Sequence, residues 1–312
     1  MAGPLAPDSV SLRMYPHELP AVEIVSVLRE QAALADRAGF DGVMTNEHHG
    51  GFRGYLPTPV QMAGFCLSVM DRGWAAPCPL LLPLRHWTHV AEELAWLAAC
   101  YPGRVAAGFG AGGWEGDFTL ADIPYAEKFP RYKEALPRVV GALRGEAPEG
   151  LCDDAAIAAL APDTLPLVSA ATSEAGIRRA ASLSLGVIFD SLQTPERIRG
   201  LVDLYRDAGG TGPCVLIRRV WVGPPPDAAV EGQMSFYRSY STEQAQSHWG
   251  EGHELVGGAQ GGEIGERLAA LREVTGCEAL NLRIHVHGVP PEPVSDQIER
   301  LGAEMLPVLR SA

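Results

Sequence analysis

Thr45-Asn46-Glu47-His48-His49 closes a short apolar run that starts at Gly42 and gives way to Gly50-Gly51. Side chains alternate along a strand, so Glu47 and His49 project one way and His48 the other. An imidazole at the end of a strand can give or take a proton near neutral pH, and a neighbouring carboxylate can fix its tautomer. His48 and Glu47 are therefore the candidate catalytic pair; the plainer alternative is histidines satisfied by hydrogen bonds at a strand end. Gly108-Phe109-Gly110-Ala111-Gly112-Gly113 formally fits G-x-G-x-x-G. A dinucleotide fingerprint must open a helix directly, and Trp114-Glu115-Gly116-Asp117-Phe118 shows no helical run before Pro124. Gly110, Ala111 and Gly112 read instead as backbone passing close to a flat ligand, or as a tight turn.

Three further clusters carry chemistry. In Ala170-Ala171-Thr172-Ser173-Glu174 a hydroxyl is a natural helix N-cap, and hydroxyls beside free amides are equally a phosphate site. Ala76-Pro77 and Cys78-Pro79 stand at the start of a strand, where an X-Pro bond can be cis. His285-Val286-His287 puts two imidazoles on one strand face, but no third ligand lies at a suitable spacing, so no metal site is assigned.

The elements that must position these residues alternate along all 312 residues. Strand candidates are Ser9 to Tyr15, Gly42 to Asn46, Pro79 to Leu84, Arg104 to Phe109, Leu165 to Ala170, Leu185 to Phe189, Cys214 to Val222 and Ala279 to Val286. Helical spacing of apolar residues separates them, first between Pro20 and Gly39, then over Pro59 to Met70, His89 to Ala99, Tyr125 to Arg144, Ser173 to Leu183, Thr194 to Ala208, Gly262 to Val274 and Pro293 to Leu309. Eight βα units in one chain favour an α/β fold of the (β/α)₈ TIM barrel type, a single domain over residues 1–312, above an open doubly wound sheet. Two insertions, Gly108 to Pro124 and Gly223 to Gly258, follow the fourth and seventh strands, on the face where barrels place active sites. Residues 224 to 256, with Phe236, Tyr237, Tyr240, His248, Trp249 and His253, read as a mobile lid over a substrate cavity or as a fixed cover of the rim.

Composition narrows the partners. The net charge of −13, with no basic block, argues against a nucleic-acid surface or an anionic-membrane patch. Lys128 and Lys133 are the only lysines, which leaves little room for Schiff-base chemistry. The six cysteines form no C-x-x-C pair and read as buried thiols. The first residues lack a secretory pattern and no apolar run reaches about 18 residues, so a cytoplasmic location is expected. Met62, Phe65, Cys66, Val69 and Met70, with Leu94, Trp96, Leu97 and Ala98, make two helices apolar over more than one stripe; a subunit interface is the simplest cover, and a longer capping loop would also serve.

The ordered set Ala38-Gly39-Phe40-Asp41-Gly42, Glu47-His48-His49, Leu82-Pro83-Leu84-Arg85-His86, Gly103-Arg104 with Ala107 to Gly112, and Arg131-Tyr132-Lys133-Glu134-Ala135-Leu136 resembles the bacterial luciferase-like flavin monooxygenase family. The resemblance implies a barrel that binds FMN or the deazaflavin F420 at its mouth, a homodimer through the second and third helices, and His48 as proton donor or acceptor in oxygen chemistry. It further implies that Thr172 and Ser173 hold the flavin phosphate, that Arg131 reaches it, and that Cys78-Pro79 is a cis peptide behind the ring. The implied reaction is a two-component monooxygenation: a separate flavin reductase supplies reduced FMN, and O₂ is used on a small organic substrate. Luciferase carries a reactive cysteine and an arginine where Gly110 and Ala111 stand here, so light emission is not implied. An F420-dependent oxidoreductase, with Arg178, Arg179, Arg218 and Arg219 meeting the acidic tail of that cofactor, and a flavin-binding barrel without catalysis are the alternatives.

Overall fold

The computed structural model describes residues 1–161, 164–241, 243–250 and 254–311. Its strands are Val10–Arg13 (β1), Gly42–Thr45 (β2), Trp74–Pro77 (β3), Leu80–Leu81 (β4), Ala107–Gly110 (β5), Leu167–Ala170 (β6), Gly186–Phe189 (β7), Cys214–Val222 (β8), Leu255–Gly258 (β9) and Ala279–Arg283 (β10). They pair in the order β3-β2-β1-β10-β8-β7-β6-β5-β4, and the pairings are parallel. The ring closes where the Ala75 amide donates to the Arg104 carbonyl at 2.9 Å and the Ala106 amide to the Ala75 carbonyl at 3.2 Å. With β3 and β4 forming one stave, the sheet is a (β/α)₈ barrel, and an open sheet is excluded.

The helices follow from ordinary stop and start signals. Ala21–Ala38 begins after Pro20 and ends on Gly39, whose φ of 96° sends its amide back to the Ala35 and Asp36 carbonyls. Strands are buried on both faces, so small and β-branched side chains fill them. Inside the ring Met44, Ala76, Ala106, Val168, Ile188 and Val215 form an inner core, and a larger core lies between ring and helices. Gly108 is small for this reason, since a Cβ there would stand 2.1 Å from Cys78 Sγ.

Three expectations change. The third stave is Trp74–Pro77 with Leu80–Leu81, not Pro79 to Leu84; Leu82–Leu84 is a 3₁₀ turn. The apolar Leu80-Leu81-Leu82 run drew the assignment, whereas the crowded ring interior takes Ala76 because it is small, and Ala75 faces the helices. The insertion after the fourth stave does hold a helix, Glu115–Leu120. The insertion after the seventh carries regular structure as well, with helices Asp227–Tyr240 and Glu243–Gln246 and with β9 running parallel to the end of β8. Its His253 lies outside the described residues. Among the described residues no helix is long and apolar enough to cross a membrane.

Candidate active site

A cavity of about 430 Å³ opens at the C-terminal mouth of the barrel, within the range of small-molecule pockets. The end of β2 forms one wall. His48 lines it, with its ring stacked on Phe52 at 4.3 Å and edge-on to Tyr55 at 4.5 Å. Its Nδ1 lies 2.6 Å from Asp117 Oδ2, and Asp117 Oδ1 also accepts the His49 amide at 2.7 Å. A carboxylate accepts from Nδ1–H, so this bond sets the tautomer and leaves Nε2 as the nitrogen that can exchange a proton with a bound molecule. Asp117 is 1% exposed and belongs to the Glu115–Leu120 helix. Sequence reasoning missed it, because six residues are too few to show a helical period.

Glu47 does not serve His48. Its Oε1 meets His49 Nε2 at 3.0 Å and the Arg85 guanidinium at 2.9 Å, while its Oε2 accepts the Leu81 amide at 2.7 Å. Burial opposes its ionisation, but the His49 hydrogen bond, the Arg85 charge and the Leu81 amide outweigh it and hold the carboxyl below the usual range. The same hydrogen bond raises His49 above an ordinary histidine, ahead of the opposing effect of burial. A carboxylate so fully engaged ties β2 to β4 and is not free to carry a proton.

Across the cavity, Ser173 caps the Glu174–Ser182 helix by accepting the Gly176 amide at 3.3 Å. Ala171, Thr172, Ser173, Gly176 and Arg179 line that end. The glycine loop forms the flat side: a Cβ on Gly110 would stand 3.1 Å from Pro79 Cβ, and Gly112 holds a φ of 81°. Gly110, Ala111, Gly112 and Pro79 thus share the cavity with His48. The Cys78–Pro79 bond is cis. The Cys78 side chain is not part of the wall: it is buried in the ring interior, burial pushes its thiol up to about 11 against the opposing effect of Arg13, and its carbonyl accepts from Arg13 at 2.9 Å. Arg131 also departs from expectation, with Nε donating to the Pro83 carbonyl at 2.9 Å and Nη1 3.7 Å from Glu127. It lies outside the cavity wall, where Arg179 stands instead.

Two buried cations complete the cavity. Arg13 and Arg283 close the ends of β1 and β10 and line the wall. The sequence did carry a cue for both, since a charge at the end of an otherwise apolar parallel strand is costly to bury without a purpose. The helix Asp227–Tyr240 packs beside this end of the cavity, with Val230, Met234 and Tyr237 buried and the Tyr237 hydroxyl against Arg283 and Tyr55. Phe236 and Tyr240 meet Phe52 at 5.2 and 5.3 Å, which makes an aromatic roof above His48. His285 and His287 diverge, the first buried against Tyr15 and the second bonded to Glu18 at 2.8 Å.

The luciferase-like monooxygenase family model matches residues 14–304. The chain belongs to that family. It is accordingly an oxidoreductase, and the cavity just described is where its chemistry belongs by fold. An F420-dependent glucose-6-phosphate dehydrogenase from Microbacterium testaceum is 30% identical over 182 residues, 54% of this chain and 54% of that enzyme. The match therefore spans about half the length of that relative. Among solved structures, a monooxygenase from Streptomyces bottropensis superposes with a TM-score of 0.79 at 20% identity, covering 97% of this chain and 100% of that one. The oxygenating constituent of 3,6-diketocamphane monooxygenase from Pseudomonas putida, solved with FMN, gives 0.74 at 18% identity over 97% and 99% of the two chains. At these identities the structural likeness is one of fold.

Proposed function

We propose that this luciferase-like protein takes up reduced FMN from a separate reductase and uses it with O₂ to oxygenate a small organic substrate. The observation that carries the reading is the joint geometry of one cavity: an anion cradle at one end, a flat glycine-proline wall, and a histidine oriented by a buried carboxylate at the other. The donor set suits a phosphate, because a capping hydroxyl, a free helix N-terminus and Arg179 converge there. The wall suits a planar ring, because a side chain at Gly110 would fill that space.

Thr172, Ser173, Gly176 and Arg179 would hold the phosphate, and Pro79, Gly110 and Ala111 would face the ring. When bound, reduced flavin supplies the electrons that activate O₂. His48 then gives or takes a proton at Nε2, held in position by Asp117. Phe52, Trp114, Phe236 and Tyr240 keep water from that end of the cavity. The phosphate assignment has a direct check. Arg179→Ala should weaken FMN binding about tenfold, the loss of one charge-assisted hydrogen bond, and leave riboflavin binding unchanged. Equal losses for both flavins, read by fluorescence quenching, would remove Arg179 from the cradle.

F420 is the second reading, favoured by the 30% identical F420-dependent relative. Against it, Arg218 and Arg219 are 0% and 3% exposed, so neither meets an acidic tail at the surface and only Arg178 and Arg179 remain.

We further propose a homodimer. A groove of about 620 Å³ between helices Pro59–Leu67 and Trp87–Cys100 is lined by Gly64, Phe65, Trp96, Leu97 and Tyr101. Trp96 is 56% exposed there, a large apolar surface that a second copy would cover. Trp96→Arg should convert the dimer to monomer in sedimentation velocity. A variant that sediments as the unaltered protein does would remove this face from the interface.

A further inference from the structure

Beside the cavity lies a narrow void of about 10 Å³, lined by Arg219, Trp221, Gln233, Arg283 and His285 and sharing Arg283 with the cavity wall. It has room for one small species. Arg219 on β8 and Arg283 on β10 are register partners on adjacent parallel strands, and they are 3% and 5% exposed. Two like charges side by side on neighbouring strands repel, and burial removes the water that would screen them. Their hydrogen bonds do not supply a counter-charge. Arg219 Nη2 donates to Gln233 at 2.8 Å, while its Nε and Nη1 are buried without a partner. Arg283 donates to the Tyr237 hydroxyl at 2.5 Å and, at 3.4 Å, to the His285 carbonyl, and lies 4.2 Å over the Tyr15 ring. Among the described residues no carboxylate pairs with either guanidinium; burial and then the Arg283 charge bring Arg219 down to about 10.

His285 brings no charge to the void. Burial, followed by the positive surroundings of His17, Arg283 and His287, pushes its ring well below the ordinary value, with the Pro16 backbone opposing. Neither buried ring nitrogen makes a hydrogen bond of full geometry, and the Pro16 backbone is the one acceptor near the ring, so a neutral ring keeps one N–H that can turn to the void. We propose that this void binds one monatomic anion of the halide class, chloride in ordinary media, held by Arg219, Arg283 and His285. A water molecule would satisfy donors and leave both charges uncompensated; a halide satisfies the same donors and compensates one of the two charges, which removes their mutual repulsion across the void. The site stands apart from the proposed flavin cradle but touches the same machinery. Arg283 holds the Tyr237 hydroxyl, which lies 3.3 Å from that of Tyr55, and Tyr55 packs on His48.

The test uses the whole chain without flavin, so its failure and the failure of the flavin reading are distinct. At constant ionic strength, exchanging gluconate for chloride or bromide should raise the melting temperature by about 3 °C or more, in a saturable way. Crystals grown in bromide should show an anomalous peak between Arg219 and Arg283. In Arg219→Gln both effects should vanish; should that variant not fold, the wild-type measurements decide alone. Melting that does not depend on halide overturns the proposal, whether the crystal shows no peak or shows binding at crystal concentration only.

Discussion

Replacing His48 by alanine is expected to lower turnover by about 10²- to 10⁴-fold, the usual contribution of one general acid or base. Flavin affinity should stay within about threefold, because the phosphate cradle lies at the other end of the cavity and one lost ring contact at the edge is worth about 0.5 kcal/mol. The reasoning rests on one bond. With Nδ1 at 2.6 Å from Asp117, the ring cannot turn without leaving a buried carboxylate unsatisfied, so Nε2 is presented in a fixed place. Asp117→Asn keeps the shape and can still bond the ring, but in the other tautomer. It should retain the fold, lose about 10-fold or more in turnover, and shift the pH dependence of the rate, which a purely structural role would not do. An unaltered rate in His48→Ala with flavin still bound would remove His48 from the chemistry.

The largest effect on stability should come from Glu47→Ala, about 3 kcal/mol. That substitution strands the Leu81 amide, leaves Arg85 with Glu93 as its one carboxylate among the described residues, and removes the partner of His49. The value is taken at the low end because Arg85 keeps 21% of its side chain in water, while Glu47 keeps none. Exposed pairs such as Arg138–Glu134 should contribute about 0–1 kcal/mol by comparison. The sign with pH follows from the lowered carboxyl. Its stabilisation is complete above the unfolded value and is lost as pH falls through the folded one, so the wild type should lose stability at acid pH more steeply than Glu47→Gln. Urea midpoints across that range measure it; parallel acid limbs would contradict the assignment.

What was legible in the sequence divides along physical lines. The ring was readable because eight buried strands and their helices repeat a pattern that depends on burial, and burial is written in side-chain type. The third stave was misplaced because Ala75-Ala76 carries little apolar signal while Leu80-Leu81-Leu82 carries much. His48, Thr172, Ser173 and the glycine loop, which line one cavity, stood out in the sequence because strand ends, caps and glycines leave local marks. Arg131 and Arg179 show the limit: both are arginines on helices, and which one turns toward the cavity depends on tertiary packing. Asp117 depended on a six-residue helix folding back on the end of β2, whereas strand alternation already set Glu47 on the side of His49, the histidine it bonds, and away from His48, with which it had been grouped.

Anaerobic titration of the purified chain with reduced FMN, with reduced F420 in parallel, tests the central claim most directly. One equivalent of reduced FMN per chain should bind, more tightly than F420, and the affinity should fall in Arg179→Ala but not in His48→Ala. Binding of neither cofactor, or binding of F420 with none of FMN, would contradict it.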